Sequence, residues 1–337
     1  MKNKSKKIKK SDKALFESLG VDYKAPFKVS SVEELKKFTP KYVAFRIKKS
    51  ANIMDTLLLA NVDYVAQFSI YLDMKKDMKE YVEPSKTKFS DVYRKYEGHD
   101  LTNSSILLWR FGGIGDLICM QPILKYIRKN YTNCKITFNT SKNNRIVFSL
   151  FPEKYRPDSI NVIPFPLNNM LNTDYHLSFE GSIERISKEN KTPRVVALMN
   201  LAGIYDTSDI EIDLEVPDEY LNKYDSDFFK DMVILNFRAT APNRTLTPQN
   251  LNSIIITFLN AGLKVGILDS PNQSNAIDEY LSYYPDLKNK KIFNLSTRSK
   301  SLLDAAAMIK KCMCFVGIDS GLAHIAAGLK KPSAVLF

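Results

Sequence analysis

The residues that could do chemistry fall in three short stretches. Arg110-Phe-Gly-Gly-Ile-Gly-Asp116 sets three glycines, Gly112, Gly113 and Gly115, and one carboxylate between the apolar run 106–109 and the amphipathic segment 117–130. This is the pattern of a strand, a tight turn and a helix. Glycine lets the backbone approach a ligand closely, and a helix opening there aims unpaired N–H groups at it. A substrate is expected at this turn. Asp116 by itself is equally well read as an N-terminal cap or a first-turn acid favoured by the helix dipole.

The second stretch is Cys314-Phe-Val-Gly-Ile-Asp-Ser-Gly-Leu-Ala-His324, followed by Ile-Ala-Ala-Gly-Leu-Lys-Lys-Pro332. A strand ends at Asp319-Ser320-Gly321, and a helix of small residues opens with free N–H groups and a hydroxyl. In physical terms this is a pyrophosphate cradle. The plainer readings are that Ser320 only caps the helix, Gly321 only eases the turn, and His324 is a packing histidine. The third stretch is the loop from Arg238 through Thr240 and Arg244 to Pro248, whose two guanidiniums suit bidentate phosphate binding. Its plain alternative is a surface loop with solvated arginines.

These stretches need elements to hold them at strand ends. From residue 105 the chain alternates short β-rich and helical segments: strands at 105–110, 135–139, 160–165 and 175–179, and helices at 117–130 and 143–151. An acidic linker at 216–231 breaks the pattern, and a second alternation follows. Its strands are expected at 232–237, 264–269, 291–295, 314–318 and 333–337, and its helices at 248–260, 275–284, 302–311 and 323–329. Such alternation implies parallel sheets covered on both faces, which bind ligands at the carboxyl ends of their strands. The expected fold is α/β, with two Rossmann-type doubly wound domains facing a cleft, at 105–225 and 226–337. Residues 1–12 read as a basic disordered tail. Residues 13–104 read as a mixed α/β extension, with a capping box at Ser31-Val-Glu-Glu34 and a strand at 42–47.

Composition narrows the class. The chain has 337 residues, 44% hydrophobic, with a net charge of +12. Residues 1–100 carry 22 Lys and Arg against 14 Asp and Glu, so the basic excess is concentrated at the front. That front could face an anionic membrane surface, nucleic acid or an acidic acceptor, or be a solvated tail. Cys119, Cys134, Cys312 and Cys314 form no C-x-x-C pair, and there are only three histidines, which argues against a zinc site or a disulfide scaffold. No window is long and apolar enough for a membrane span, so a cytoplasmic protein is expected. An NAD-linked oxidoreductase is disfavoured, because the glycine spacing is not G-x-G-x-x-G and the second strand ends at Asn139-Thr140 rather than at an acid.

Taken in this order, the motifs resemble glycosyltransferase family 9, the ADP-heptose:lipopolysaccharide heptosyltransferases and their relatives, over roughly residues 105–337. The likeness rests on R-x-G-G-I-G-D followed by Pro122, and on G-x-D-S-G-L-A-H-x-A-A-x-L-x-K-P from Gly317 to Pro332. It implies a GT-B fold and an inverting transferase that needs no metal or other cofactor. The reaction would move a heptose-like or hexose sugar from a nucleotide diphosphate donor to a saccharide acceptor such as a lipopolysaccharide core. Asp116 would be the general base, a role that depends on water being excluded around it. Gly112, Gly113 and Gly115 would form the acceptor-side loop. Arg238, Thr240, Arg244, Asp319, Ser320, Gly321 and His324 would hold the donor, with Arg244-Thr-Leu-Thr247 standing where the family has K-x-W-P. The acid that often touches the donor ribose in that family falls near Gln273, which is neutral, and the chain ends at Phe337 where relatives continue. A transferase acting on nucleic acid or protein, and a non-catalytic binding protein that kept the fold, are the alternatives.

Overall fold

The computed structural model describes residues 42–53, 56–58, 63–67, 80–84, 94, 96–162, 173–179, 191–238, 244–285, 288 and 291–336. The tail 1–12, the capping box at Ser31 and Thr240 lie outside the described residues. The chain forms two compact units. One comprises Met1–Phe111, Lys125–Lys142 and Pro157–Ile210; the other comprises Gly112–Leu124, Asn143–Arg156 and Glu211–Phe337.

In the first unit, β1 (Tyr42–Ile47) lies antiparallel between β4 (Asp63–Gln67) and β5 (Val82–Pro84), while β2 (Ala51–Ile53) pairs with β3 (Thr56–Leu58) as a separate ribbon. The mixed extension is therefore built of strands where it is described. Beyond it, β6 (Ser105–Trp109), β7 (Lys135–Asn139), β8 (Ser159–Asn161) and β9 (Tyr175–Ser178) make a parallel sheet in the order β8-β7-β6-β9. Ile106–Trp109 are all buried, as continuous apolar runs in parallel sheets must be. Arg110 of the glycine motif is buried here too, and its Nη1 donates to the Phe179 carbonyl at 3.1 Å.

In the second unit, β10 (Met232–Asn236), β11 (Lys264–Ile267), β12 (Ile292–Asn294), β13 (Cys314–Ile318) and β14 (Ser333–Leu336) form a parallel sheet in the order β12-β11-β10-β13-β14. The first strand sits in the middle and the chain winds outward in both directions, so the fold is doubly wound and its switch point lies between β10 and β13. The expected α/β architecture with parallel sheets is borne out.

Helix ends follow their local chemistry. The helix Pro248–Asn260 opens with the Thr247 hydroxyl accepting the Asn250 N–H and with proline at its first position, where no N–H is needed. The helices Ser274–Leu281 and Leu302–Lys311 follow, the latter capped by Ser301. Leu251 and Ile255, then Ile277 and Leu281, recur four residues apart and lie against Val233, Leu235, Val265, Ile267 and Ile292 of the sheet. Burying each of these aliphatic side chains contributes about 1.5–3 kcal/mol.

Three expected elements differ in form. Segment 117–130 is two helices, Ile114–Ile118 and Gln121–Asn130. Pro122 has no N–H for a continuous ladder but is tolerated in the first turn of a new helix. Segment 143–151 holds a 3-10 helix, Arg145–Leu150, ended by Phe151-Pro152, since a residue before proline is driven to extended backbone. The linker 216–231 contains two single turns, Asp218–Leu221 and Ser226–Phe229. A helix at Arg194–Leu201 was not expected at all.

Below, Ile114–Ile118 is α1, Gln121–Asn130 α2, Arg194–Leu201 α3, Asp218–Leu221 α4, Ser226–Phe229 α5, Pro248–Asn260 α6, Ser274–Leu281 α7, Leu302–Lys311 α8 and Gly321–Gly328 α9. Among the described residues no helix is long and apolar enough to cross a membrane.

Candidate functional site

The two glycine turns meet inside the second unit. Gly113 is the N-cap of α1, and its N–H donates to Oδ2 of Asp116 at 2.9 Å, so the carboxylate closes the first turn of its own helix. Asn144 Nδ2 fixes the turn from outside by donating to the Gly112 carbonyl at 2.9 Å. The capping role considered for Asp116 is thus present in the fold, and the side chain stays partly exposed.

Across from this turn, α9 begins at the end of β13. Ser320 is its N-cap: the hydroxyl accepts the Ala323 N–H and donates to Oδ1 of the buried Asn236 at 2.7 Å. Asn236 in turn donates through Nδ2 to the Leu268 carbonyl at 3.1 Å. One hydroxyl therefore ties the ends of β10 and β13 together across the switch point. Asp319 stands at the same strand end and joins two basic groups. Arg244 Nη1 donates to Asp319 Oδ2 at 3.0 Å and to its carbonyl at 3.3 Å, and His324 Nε2 lies 3.9 Å from Oδ1.

Contact between α1 and α9 depends on two glycines. A Cβ built on Gly115 would lie 2.4 Å from His324 Cδ2 and 2.7 Å from Nε2, and one on Gly321 would lie 2.9 Å from the Ile114 Cβ. The imidazole is therefore seated on the backbone of the residue next to Asp116. Sequence spacing alone could not show this.

The structure thus brings Gly112, Gly113, Gly115 and Asp116 together with Arg244, Asp319, Ser320, Gly321 and His324. Arg238 is partly exposed, two residues beyond β10. Gln273 is partly exposed at the end of the 3-10 turn Pro271–Gln273, one strand away at the end of β11.

A residue that sequence reading missed is Asp269, just beyond β11. Burial raises its pKa, against which the Ser270 N–H and the charge of Arg238 pull downward. Its Oδ1 accepts the Ser270 N–H at 2.6 Å and its own N–H donates to Ser296 Oγ at 2.8 Å. Oδ2 is buried with no hydrogen-bond partner among the described residues. An acid at the close of an apolar strand was the available signal. Among the described residues no group of three or more His, Cys, Asp or Glu could hold a metal ion, and all four cysteines are free thiols.

Two parallel, doubly wound sheets define the GT-B type of glycosyltransferase fold, and solved structures bear this out. A glycosyltransferase family 9 protein from Veillonella parvula matches with a TM-score of 0.57 and 15% identity, over 71% of this chain and 82% of that one. ADP-heptose lipopolysaccharide heptosyltransferase II of E. coli matches with a TM-score of 0.52 and 18% identity, over 69% and 84%. E. coli heptosyltransferase WaaC, solved with ADP-2-deoxy-2-fluoro heptose, matches with a TM-score of 0.51 and 11% identity, over 68% and 88%. Residues 182–337 match the model of glycosyltransferase family 9 (heptosyltransferase). The resemblance seen in the motifs holds over residues 182–337, which match a family 9 domain, and with the shared fold this supports a glycosyltransferase. No curated protein sequence matches.

Proposed function

We propose that the protein transfers a sugar from a nucleoside diphosphate donor to a hydroxyl of a saccharide acceptor, with inversion and without a metal ion. The observation that carries this reading is the seating of His324 on Gly115, which joins an N–H-rich turn with a bound arginine to the turn bearing Asp116. In the proposed step, Asp116 takes the proton of the acceptor hydroxyl as its oxygen bonds to the anomeric carbon. The bond from that carbon to the donor diphosphate breaks, and the electron pair leaves with the diphosphate. Arg244, Arg238 and the first-turn N–H groups of α9, opened by Ser320 and Gly321, meet the departing charge. Asp319 and His324 hold Arg244 and the turn in place, with Thr240 and Gln273 on the donor side. Gly112 and Gly113 give the acceptor close access to the backbone, and Gly115, on the same acceptor-side loop, gives its own backbone to the His324 ring. A heptose-like or hexose donor, an anionic saccharide acceptor such as a lipopolysaccharide core, a basic front end facing that acceptor and a cytoplasmic location complete the reading.

Release of nucleoside diphosphate from a panel of donor sugars, with and without saccharide acceptors and EDTA, tests it. The parent should turn over at least one donor at a rate EDTA does not change, and Asp116→Ala should not. No turnover by the parent with any donor would sink the proposal.

Arg244→Ala is expected to weaken nucleotide-sugar binding by about tenfold, the factor gained from one charge-assisted hydrogen bond. Stability should hardly change, because Arg244 and Asp319 side chains are 45% and 35% exposed and such pairs contribute little to folding. Isothermal titration alongside thermal melting separates the two, and equal affinity in mutant and parent would remove Arg244 from the site.

A further inference from the structure

Asn144 stands at the start of the 3-10 helix Arg145–Leu150, a position where asparagine ordinarily turns its side chain back to cap the helix. Here no side-chain bond caps the helix, and the amide reaches out of its own segment instead, Nδ2 donating to the Gly112 carbonyl at 2.9 Å. Only the NH2 end of an amide can meet a carbonyl oxygen, so the partner sets the orientation of the side chain. The segment behind it is firmly held. Val147, Phe148 and Leu150 are buried, and the Asn144 carbonyl accepts the Val147 N–H at 3.0 Å. The Leu150 carbonyl accepts the Glu215 N–H at 2.7 Å, and Arg156 donates to the carbonyls of Ser149 and Phe151 at 3.0 and 2.8 Å. What Asn144 grips is one end of a single planar group. The Gly112 carbonyl and the Gly113 N–H belong to the same peptide, and the far end of that peptide donates to Asp116 Oδ2 at 2.9 Å. The torsions on either side of the plane belong to two glycines, so no side chain restrains its rotation and it must be held from outside. A bond at the carbonyl end also polarises the N–H at the other.

We propose that Asn144 is a positioning residue for sugar transfer: by fixing the Gly112–Gly113 peptide plane, it holds the Asp116 carboxylate in the orientation that takes the acceptor proton. The inference rests on the reading of Asp116 as the general base. Asn144 acts through one peptide and one carboxylate, without touching sugar or diphosphate. When its donor is removed, the plane is free to turn, and the carboxylate loses the N–H that fixes it. A base must lie within hydrogen-bond reach of the proton it takes, and a misplacement of about 1 Å can lower a rate by about 10²-fold. The loss therefore falls on the transfer step. Nucleotide binding, served by Arg244 and the first turn of α9, is left as it was.

The test is a double-mutant cycle between positions 144 and 116. Asn144→Leu keeps the bulk of the side chain without a donor, and Asn144→Asp keeps its shape but turns only acceptor oxygens to the Gly112 carbonyl. Transfer is followed in single turnover with labelled ADP-heptose, ADP-glucose, UDP-glucose and GDP-mannose as donors and a lipopolysaccharide-core oligosaccharide as acceptor. Nucleotide affinity is read by titration with ADP, UDP and GDP. Each variant should lower transfer by about ten- to a hundredfold, with nucleotide affinity within about twofold of the parent. In an Asp116→Asn background the same substitutions should change the residual rate by less than about twofold, because no carboxylate is left to orient. Thermal melting confirms folding, and if one variant does not fold, the other decides. Equal losses in both backgrounds would make Asn144 a structural residue only and overturn the proposal. A folded Asn144 variant that transfers as fast as the parent would overturn it too, while Asp116 stands as the base. If Asp116→Asn transfers as fast as the parent, or the parent uses none of the donors, the base reading falls and the positioning role with it.

Discussion

Asp116→Asn is expected to lower sugar transfer by about 10²- to 10⁴-fold, the range that follows loss of a general base, while melting temperature and nucleotide-sugar affinity stay close to the parent. The substitution separates two roles that coexist in the same side chain. As a cap, Asp116 accepts the Gly113 N–H at 2.9 Å, and the carbonyl oxygen of asparagine can accept the same bond. What asparagine cannot do is receive a proton. Its lost negative charge at a helix N-terminus costs only about 0.3–1 kcal/mol at a partly exposed site. Single-turnover transfer with labelled donor, donor titration and thermal melting together give the answer. A transfer rate within twofold of the parent would leave Asp116 as a cap and nothing more.

The strongest local signals were legible in the sequence, and their failures have physical causes. Segments 248–260, 302–311 and 314–318 were read with their observed ends, because each has explicit punctuation: Thr247-Pro248, Ser301, or a short apolar run stopped by Asp319-Ser320-Gly321. Segment 117–130 was read as one helix because its apolar spacing runs on through Pro122, and only the missing proline N–H divides it. The helix Arg194–Leu201 follows Pro193 and has no side-chain cap, so no start signal marked it. In the site, the chemistry of each turn could be read residue by residue. Their union could not. The His324 ring on Gly115, Arg244 on Asp319, and the Asp269 N–H on Ser296 are neighbours created by the tertiary fold, which one sequence does not encode locally.

Gly115→Ala carries the largest expected structural effect at the site, because two rules of opposite sign meet there. Within a helix, alanine is favoured over glycine by about 1 kcal/mol, so an α1 free of neighbours would gain from the change. Against this, the new Cβ would stand 2.4 Å from His324 Cδ2 and 2.7 Å from Nε2, distances at which the ring cannot stay. Overpacking of this kind typically costs about 1–3 kcal/mol, so the contact should win and the melting temperature should fall. Displacing the imidazole also takes Nε2 from its place 3.9 Å from Asp319, and shifts the backbone beside Asp116, so transfer should fall with it. The double variant Gly115→Ala/His324→Ala isolates the cause. With the ring gone, the alanine at 115 should no longer destabilise and should add its helix preference, giving a coupling between the two sites well beyond simple additivity. If Gly115→Ala is as stable as the parent and its effect adds independently to that of His324→Ala, the ring moves aside freely and the seating does not hold the two turns together.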